Sequence, residues 1–193
     1  MSNINIKIIV GSTREGRSGE KIAKWIEGIA SKRKDFKYEI LDLKQLNLPW
    51  YTEATSPAYA NDYSDSLVKK WSEEISNADG IVIITPEYNH GYTAPVKNAL
   101  DLLYKEWNNK PISFVSYGGI AAGTRATQQL RQVAIELQMH PIRENVHIPM
   151  IWEAFDANEQ LKNVDHYNKS AETMFDKLTF WAHSFKDIRA KMK

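Results

Sequence analysis

Residues Ile81 to Ile84 form an unbroken apolar run, introduced by Asp79-Gly80 and followed after Thr85 by Pro86. Neighbouring side chains on a strand point to opposite faces, so a run of this kind is buried on both sides, as in the centre of a parallel sheet. Parallel strands need long crossovers, and those crossovers bring helices onto both faces.

The rest of the 193 residues supplies the missing pieces. Ile4, Ile6, Ile8 and Val10 alternate with Asn5, Lys7 and Ile9 up to Gly11, which predicts a first strand with a largely buried end. Ser18 is placed to N-cap a helix carrying Ile22, Trp25, Ile26, Ile29 and Ala30 on one face. Phe36 to Leu43 alternates with Lys37 and Glu39 on one side, the pattern of a half-exposed edge strand. Lys44 to Tyr63, with Pro49 and Pro57, reads as a long irregular loop. Leu67, Val68, Trp71 and Ile75 mark a second helix. A third begins near Pro95 and places Val96, Ala99, Leu100, Leu103 and Trp107 on one stripe, with Leu102 off it.

Pro111 to Tyr117 predicts a fourth strand, ended by Gly118-Gly119, and Ala126, Leu130, Val133, Ala134 and Leu137 predict the helix after it. Ile142, Val146 and Ile148 alternate with Arg143, Asn145 and His147, a fifth strand at an edge. Tyr167, Ala171, Met174, Leu178, Trp181, Phe185 and Ile188 line a terminal helix that covers the sheet. The chain therefore reads as one α/β domain over residues 1–193, a three-layer sandwich on a five-stranded parallel sheet. The half-exposed second and fifth strands give the order 2-1-3-4-5, with ligands at the carboxyl ends of strands one, three and four.

Composition narrows the chemistry. Twenty-five Lys and Arg against 24 Asp and Glu leave a net charge of +1, too balanced for an electrostatic grip on nucleic acid or an anionic membrane. Without cysteine there is no disulfide, thiol relay, thiolate zinc site or cysteine nucleophile. The histidines show no metal-binding spacing. Met1 to Val10 lacks the features of a signal peptide and no apolar stretch reaches the length of a membrane span, so the expected location is cytoplasmic.

Three loops gather at the carboxyl rim. Gly11-Ser12-Thr13-Arg14-Glu15-Gly16-Arg17-Ser18 combines hydroxyls, two arginines and the positive end of a helix, a cradle for phosphate; its plainer reading is a polar turn with a serine cap. The loop nearly spells a Walker A sequence, but Arg17 stands where lysine belongs, and no acidic residue closes the neighbouring apolar strand. Asp42 is placed for a ribose, yet the glycine pattern of a dinucleotide site is absent. In Pro86-Glu87-Tyr88-Asn89-His90-Gly91-Tyr92, Pro86 and Gly91 restrict and free the backbone, so amides can line the edge of a heteroaromatic ring; the loop could also simply cap a helix. Tyr117-Gly118-Gly119-Ile120-Ala121-Ala122-Gly123-Thr124-Arg125 permits close approach of a ligand to backbone, or is a flexible link with Thr124 as helix cap.

Taken in this order, the loops resemble those of the NAD(P)H-dependent FMN reductase family, flavodoxin-like enzymes that include quinone, azo-dye and chromate reductases. The likeness spans about residues 4–150 and rests on Gly11-Ser12-Thr13-Arg14 with Ser18, on Pro86-Glu87-Tyr88-Asn89 followed by Lys97-Asn98-Ala99-Leu100-Asp101, and on Tyr117-Gly118-Gly119. Thr93, where many members have proline, and Ala122, where a second glycine pair is often complete, depart from it. The resemblance implies that Ser12, Thr13, Arg14 and Ser18, with Arg17 nearby, hold the FMN phosphate. Pro86, Glu87, Tyr88 and Asn89, with His90 in the same loop, would line the isoalloxazine edge, and Tyr117, Gly118 and Gly119 its pyrimidine side.

It further implies NADPH or NADH as co-substrate, a ping-pong cycle and a small-molecule acceptor such as a quinone, azo compound, metal oxyanion or free flavin. A homodimer or homotetramer is implied through the helices after strands three and four, with Leu102, Gln128 and Gln132 as candidate contacts. No side chain is assigned as acid or base, and His90 reads as a hydrogen-bonding or solvent-facing residue. Trp50, Tyr51 and Tyr59 are candidates to wall the acceptor site, with ordinary packing as the other reading. A flavodoxin-type electron carrier is the alternative, disfavoured by the lack of a strongly acidic balance.

Overall fold

The computed structural model describes residues 4–60 and 62–192. Strands β1 (Ile4–Val10), β2 (Phe36–Asp42), β3 (Gly80–Pro86) and β4 (Pro111–Tyr117) run parallel, and with β5 (His140–Pro141) at one edge the sheet order is β2-β1-β3-β4-β5. All seven residues of β3 are buried. Ile81 and Ile83 pack with helices α3 (Ser66–Ser76), α4 (Ala94–Asp101) and α5 (Thr124–Glu136). Val82 and Ile84 pack on the other face with α1 (Gly19–Ala30) and α6 (Val164–Lys191). One run of apolar residues therefore feeds both layers of the core.

The fifth strand position is split. β5 (His140–Pro141) pairs with Pro111 and Ile112, and β6 (Val146–Ile148) pairs with Val115 to Tyr117. Between them Asn145 takes over from the backbone: its Oδ1 accepts from Phe114 N–H at 3.0 Å, while Ser113 Oγ donates to the Glu144 carbonyl at 2.7 Å. A side-chain amide thus satisfies β4 where the edge strand bulges away.

Other local readings shift. β2 stops at Asp42, because that carboxylate accepts from Lys44 N–H at 3.0 Å and starts the short helix α2 (Leu43–Leu46) inside the expected loop. Ser18 stands at the N-cap position of α1 but has helical backbone angles and makes no side-chain cap. After α4 ends at Asp101, a separate 3-10 turn, Lys105–Trp107, carries Trp107. Leu102 is 2% exposed, buried with the α3–α4 cluster and so closed to a partner subunit. On α6 Phe175 is fully buried whereas Ile188 is 44% exposed. Its 28 residues reach about 42 Å against roughly 23 Å for a seven-residue strand, so the end overhangs the sheet.

Replacing Asn145 by Ala strands the Phe114 amide in the core and is expected to lower unfolding free energy by ~1–3 kcal/mol in urea denaturation, whereas Asn145→Asp, which keeps the acceptor oxygen, retains most of it.

Candidate active site

The carboxyl ends of β1, β3 and β4 deliver three loops to one rim. Gly11 begins the first, donating to the Ile84 carbonyl at 2.8 Å. A Cβ there would lie 2.4 Å from Val96 Cγ2 and 2.9 Å from Ile84 O, so only glycine fits. Thr93 caps α4, accepting from Val96 N–H at 3.3 Å, and donates to the Gly11 carbonyl at 2.5 Å. The threonine thereby ties the helix to the loop.

Among the described residues, the amides of Ser12 to Gly16 have no hydrogen-bond acceptor in the chain. Ser12 is buried, its hydroxyl 2.9 Å from that of Tyr88. The Tyr117 hydroxyl also lies beside Ser12, buried and with no partner among the described residues. Burial raises its pKa first and foremost, with Tyr88 adding to the effect, so it stays a neutral donor. Arg14 is exposed, makes no ion pair among the described residues, and stands 6.0 Å from the centre of the Tyr88 ring. Thr13 is exposed and Ser18 half-buried.

Arg17 is different. Its side chain is 2% exposed, and every guanidinium N–H is engaged: Nε and one terminal nitrogen with Glu20 Oε1 at 3.0 and 2.8 Å, both terminal nitrogens with Asp42, and one with the Ser12 carbonyl. Burial opposes its charge, but the bonds to Asp42 and Glu20 outweigh that and hold its pKa above the ordinary value. Contrary to the sequence reading, Arg17 has no donor left for a phosphate, and Asp42 serves Arg17 instead of a ribose.

In the second loop Tyr88 and Gly91 exchange backbone hydrogen bonds at 2.9 and 3.0 Å around Asn89 (φ 51°) and His90 (φ 67°), a type I′ hairpin. The left-handed residues are therefore Asn89 and His90, not Gly91, and their amides have no acceptor among the described residues. Gln129 Nε2 donates to the His90 carbonyl at 3.0 Å. Arg125 reaches His90 Nε2, and since a guanidinium only donates, that nitrogen accepts.

Pro86 lies opposite Tyr117 at the end of the strand pairing, and Glu87 N–H donates to the Tyr117 carbonyl at 2.9 Å. The Glu87 carboxylate pairs with Arg125 Nε at 2.7 Å and accepts from Arg125 N–H at 3.1 Å. It thus caps α5 from a neighbouring loop, where the N-cap residue is Gly123 and has no side chain to do so. Thr124, expected as the cap, is the first helical residue, and its hydroxyl donates to the Ala121 carbonyl at 2.8 Å.

In the third loop the Gly118 amide donates to the Ile148 carbonyl at 3.2 Å, while Gly119 and Ile120 N–H are free among the described residues. Gly123 turns the chain with φ 79°, and a Cβ there would meet Ser116 Cβ at 2.7 Å. Ser116 Oγ donates to the Ala122 carbonyl at 2.8 Å and receives His147 Nδ1–H at 2.7 Å. Burial lowers the pKa of His147, keeping it neutral in this support role.

Two features escape the sequence reading. Trp152, 65% exposed, lies against Gly119, a Cβ on which would sit 3.5 Å from the ring. With Ile120, 88% exposed, and Met150 it makes an apolar margin to the rim; the only signal was an aromatic just after the last strand. Asn98 fixes the 44–63 segment, donating to the Pro49 carbonyl at 2.8 Å and accepting from Tyr51 N–H at 3.1 Å, which sets Trp50 on a cavity of about 270 Å³ shared with Thr13. Tyr51 and Tyr59 border a separate cavity. No group of His, Asp or Glu suited to a metal occurs among the described residues.

The sheet order is that of a flavodoxin-like fold, and its carboxyl rim carries amides that have no acceptor among the described residues. The sequence profile of the NADPH-dependent FMN reductases matches residues 4–153, and the chain belongs to that family, which uses FMN and NAD(P)H. A Schizosaccharomyces pombe NAD(P)H-dependent FMN reductase is 43% identical over 135 residues, covering 69% of this chain and 67% of that protein. A Burkholderia 2-hydroxy-1,4-benzoquinone reductase is 27% identical over 188 residues, covering 92% and 96%. In fold the chain is similar to FerB, a flavoenzyme NAD(P)H:(acceptor) oxidoreductase from Paracoccus denitrificans, with a TM-score of 0.74 at 22% identity over 94% of this chain and 98% of that one.

The two arginines of the first loop should separate in denaturation experiments. Arg17→Met leaves the half-buried Asp42 without its ion-pair partner and is expected to cost ~3–5 kcal/mol, whereas Arg14→Ala stays within about 0.5 kcal/mol of the parent chain.

Proposed function

We propose that this chain is an FMN-dependent oxidoreductase that takes hydride from NAD(P)H and passes electrons to a small acceptor, with quinones as the first class to test. The observation that carries the reading is the unpartnered Tyr117 hydroxyl beside Ser12, beneath a loop whose amides are uncommitted. A serine hydroxyl has one proton and two lone pairs. Ser12 Oγ and the Tyr88 hydroxyl share one hydrogen bond, and the Tyr117 proton, uncommitted among the described residues, is available to the phosphate beside the loop amides and Arg14. Thr13 and Ser18 complete the cradle, and Arg17 holds its shape.

Three charge-assisted hydrogen bonds contribute at most ~5–9 kcal/mol, against an association cost of ~4–15 kcal/mol. The ring must therefore be held as well, and the free amides of Asn89, His90, Gly119 and Ile120 are the donors available for it. Bound FMN supplies the hydride and electron chemistry that a cysteine-free chain lacks. The residues around it fix amide dipoles in advance, through Glu87–Arg125 on one side and His147–Ser116 on the other, where negative charge develops. Trp152, Ile120 and Met150 leave an open apolar margin that suits acceptors of varied shape.

The same reading has donor and acceptor use one face in turn, hence ping-pong kinetics, and includes a homodimer or homotetramer built on α5, where Gln128, Gln132 and Ile135 are exposed. A redox chain without a membrane-spanning helix among its described residues fits a cytoplasmic setting.

Fluorescence titration of the apoprotein tests the cradle. Arg14→Ala is expected to weaken FMN ~10- to 100-fold and Tyr117→Phe ~2- to 10-fold, with riboflavin, which lacks the phosphate, unchanged and His90→Ala affecting FMN less than Arg14→Ala. Equal losses for FMN and riboflavin contradict it. Steady-state rates with NADPH and 1,4-benzoquinone should give parallel double-reciprocal lines; converging lines refute the alternating use of one face.

A further inference from the structure

At the opposite end of the sheet, where β3 and β4 begin, a cavity of about 460 Å³ lies between the end of α3, the 3-10 turn and the last turns of α6. Its wall carries Lys105, Lys110, Lys186 and Arg189 against Asp79 and Glu106.

Both carboxylates are already occupied. Asp79 accepts from Asn5 N–H at 3.0 Å and pairs with Lys186 and Arg189 at 2.7 Å each. Glu106 accepts from Tyr63 and Ser72 hydroxyls at 2.8 and 2.6 Å and from Tyr104 N–H at 3.3 Å. Lys105 donates to the Ala60 carbonyl at 3.0 Å.

Lys110 is only 3% exposed, yet its ammonium meets no carboxylate among the described residues; it donates to the Ile75 and Ser76 carbonyls at the end of α3. An ammonium has three N–H groups, so one remains. Arg189 donates to the Asn109 carbonyl and to Asp79, leaving further N–H groups among its five. Lys110 and Arg189 therefore share one cavity with donors unused, although Asp79 pairs with Arg189 and lines the same wall.

We infer that this cleft binds a small tetrahedral oxyanion between Lys110 and Arg189, as free phosphate or as the phosphate of a mononucleotide. Such an anion relieves the repulsion between the two cations and ties the end of α6 to the start of β4. It lies roughly 23 Å from the rim, the length of the intervening strands, and does not depend on the flavin reading.

Protonation gives the site a signature. Burial, and after it the charge of Arg189, holds Lys110 down to about 7, with Asp79 and Glu106 opposing the shift. Lys186 and Lys105 are the other charged groups on the wall. An anion favours the charged ammonium, so binding draws in a proton where the empty site is neutral, more at pH 8 than at pH 6.

Sulfate keeps its charge over this range and is the probe. Calorimetric titration of FMN-loaded protein at constant ionic strength, in buffers of different ionisation enthalpy, should show one sulfate site beyond the first loop, tighter at pH 6 than at pH 8, with proton uptake at pH 8. Arg14→Ala protein should retain it. Arg189→Gln and Lys110→Met should each weaken it at least tenfold, the first keeping the test valid if the second does not fold. Adenosine 5′-monophosphate binding tenfold tighter than sulfate identifies a nucleotide phosphate, and equal or weaker binding identifies the free oxyanion. No sulfate binding at either pH, binding unchanged in Arg189→Gln, or binding without proton uptake at pH 8 overturns the inference.

Discussion

The first loop keeps its shape without using its own amides. Arg17 grips it from inside, bridging the Ser12 carbonyl to Asp42 and Glu20, and Thr93 holds the Gly11 carbonyl from the other side. Loops that fold on their own hydrogen bonds have few left for a ligand. Here the anchoring is done through carbonyls and side chains, so the N–H groups from Ser12 to Gly16 are left without an acceptor among the described residues. Arg17 could do this only from a buried position, and burial needs the paired carboxylates that keep it charged.

The other two loops are rigid for a related reason. Glu87 belongs to the second loop but caps the helix that follows the third, and Arg125 of that helix returns to both Glu87 and His90. Ser116 and His147 hold the third loop from beneath. Because each loop is fixed by residues of another element, free amides at 89, 90, 119 and 120 are set before a ligand arrives, which lowers the ordering cost of binding.

Much of this was legible in the sequence. The Ile81 to Ile84 run demanded two covered faces, and the strand order followed from which strands looked half exposed. Other features depend on contacts between distant residues. The pairing of Arg17 with Asp42 spans 25 positions, so a helix-terminal arginine looked like a phosphate ligand. Asn145 replaces a backbone acceptor, which made a broken strand look continuous. Leu102 lies just beyond the end of α4, where helical periodicity no longer says which way a side chain points. The positive φ angles of the second loop fell on Asn89 and His90 because a two-residue I′ turn needs both central residues left-handed, wherever a glycine stands nearby.

The central claim is that uncommitted amides of the carboxyl rim hold the coenzyme. Amide hydrogen exchange, read residue by residue with and without FMN, tests it most directly. The account predicts slowed exchange at Ser12 to Gly16, Asn89, His90, Gly119 and Ile120, with the opposite end of the sheet unaffected. Protection confined to other segments, or none on the first loop while FMN is bound, would contradict it.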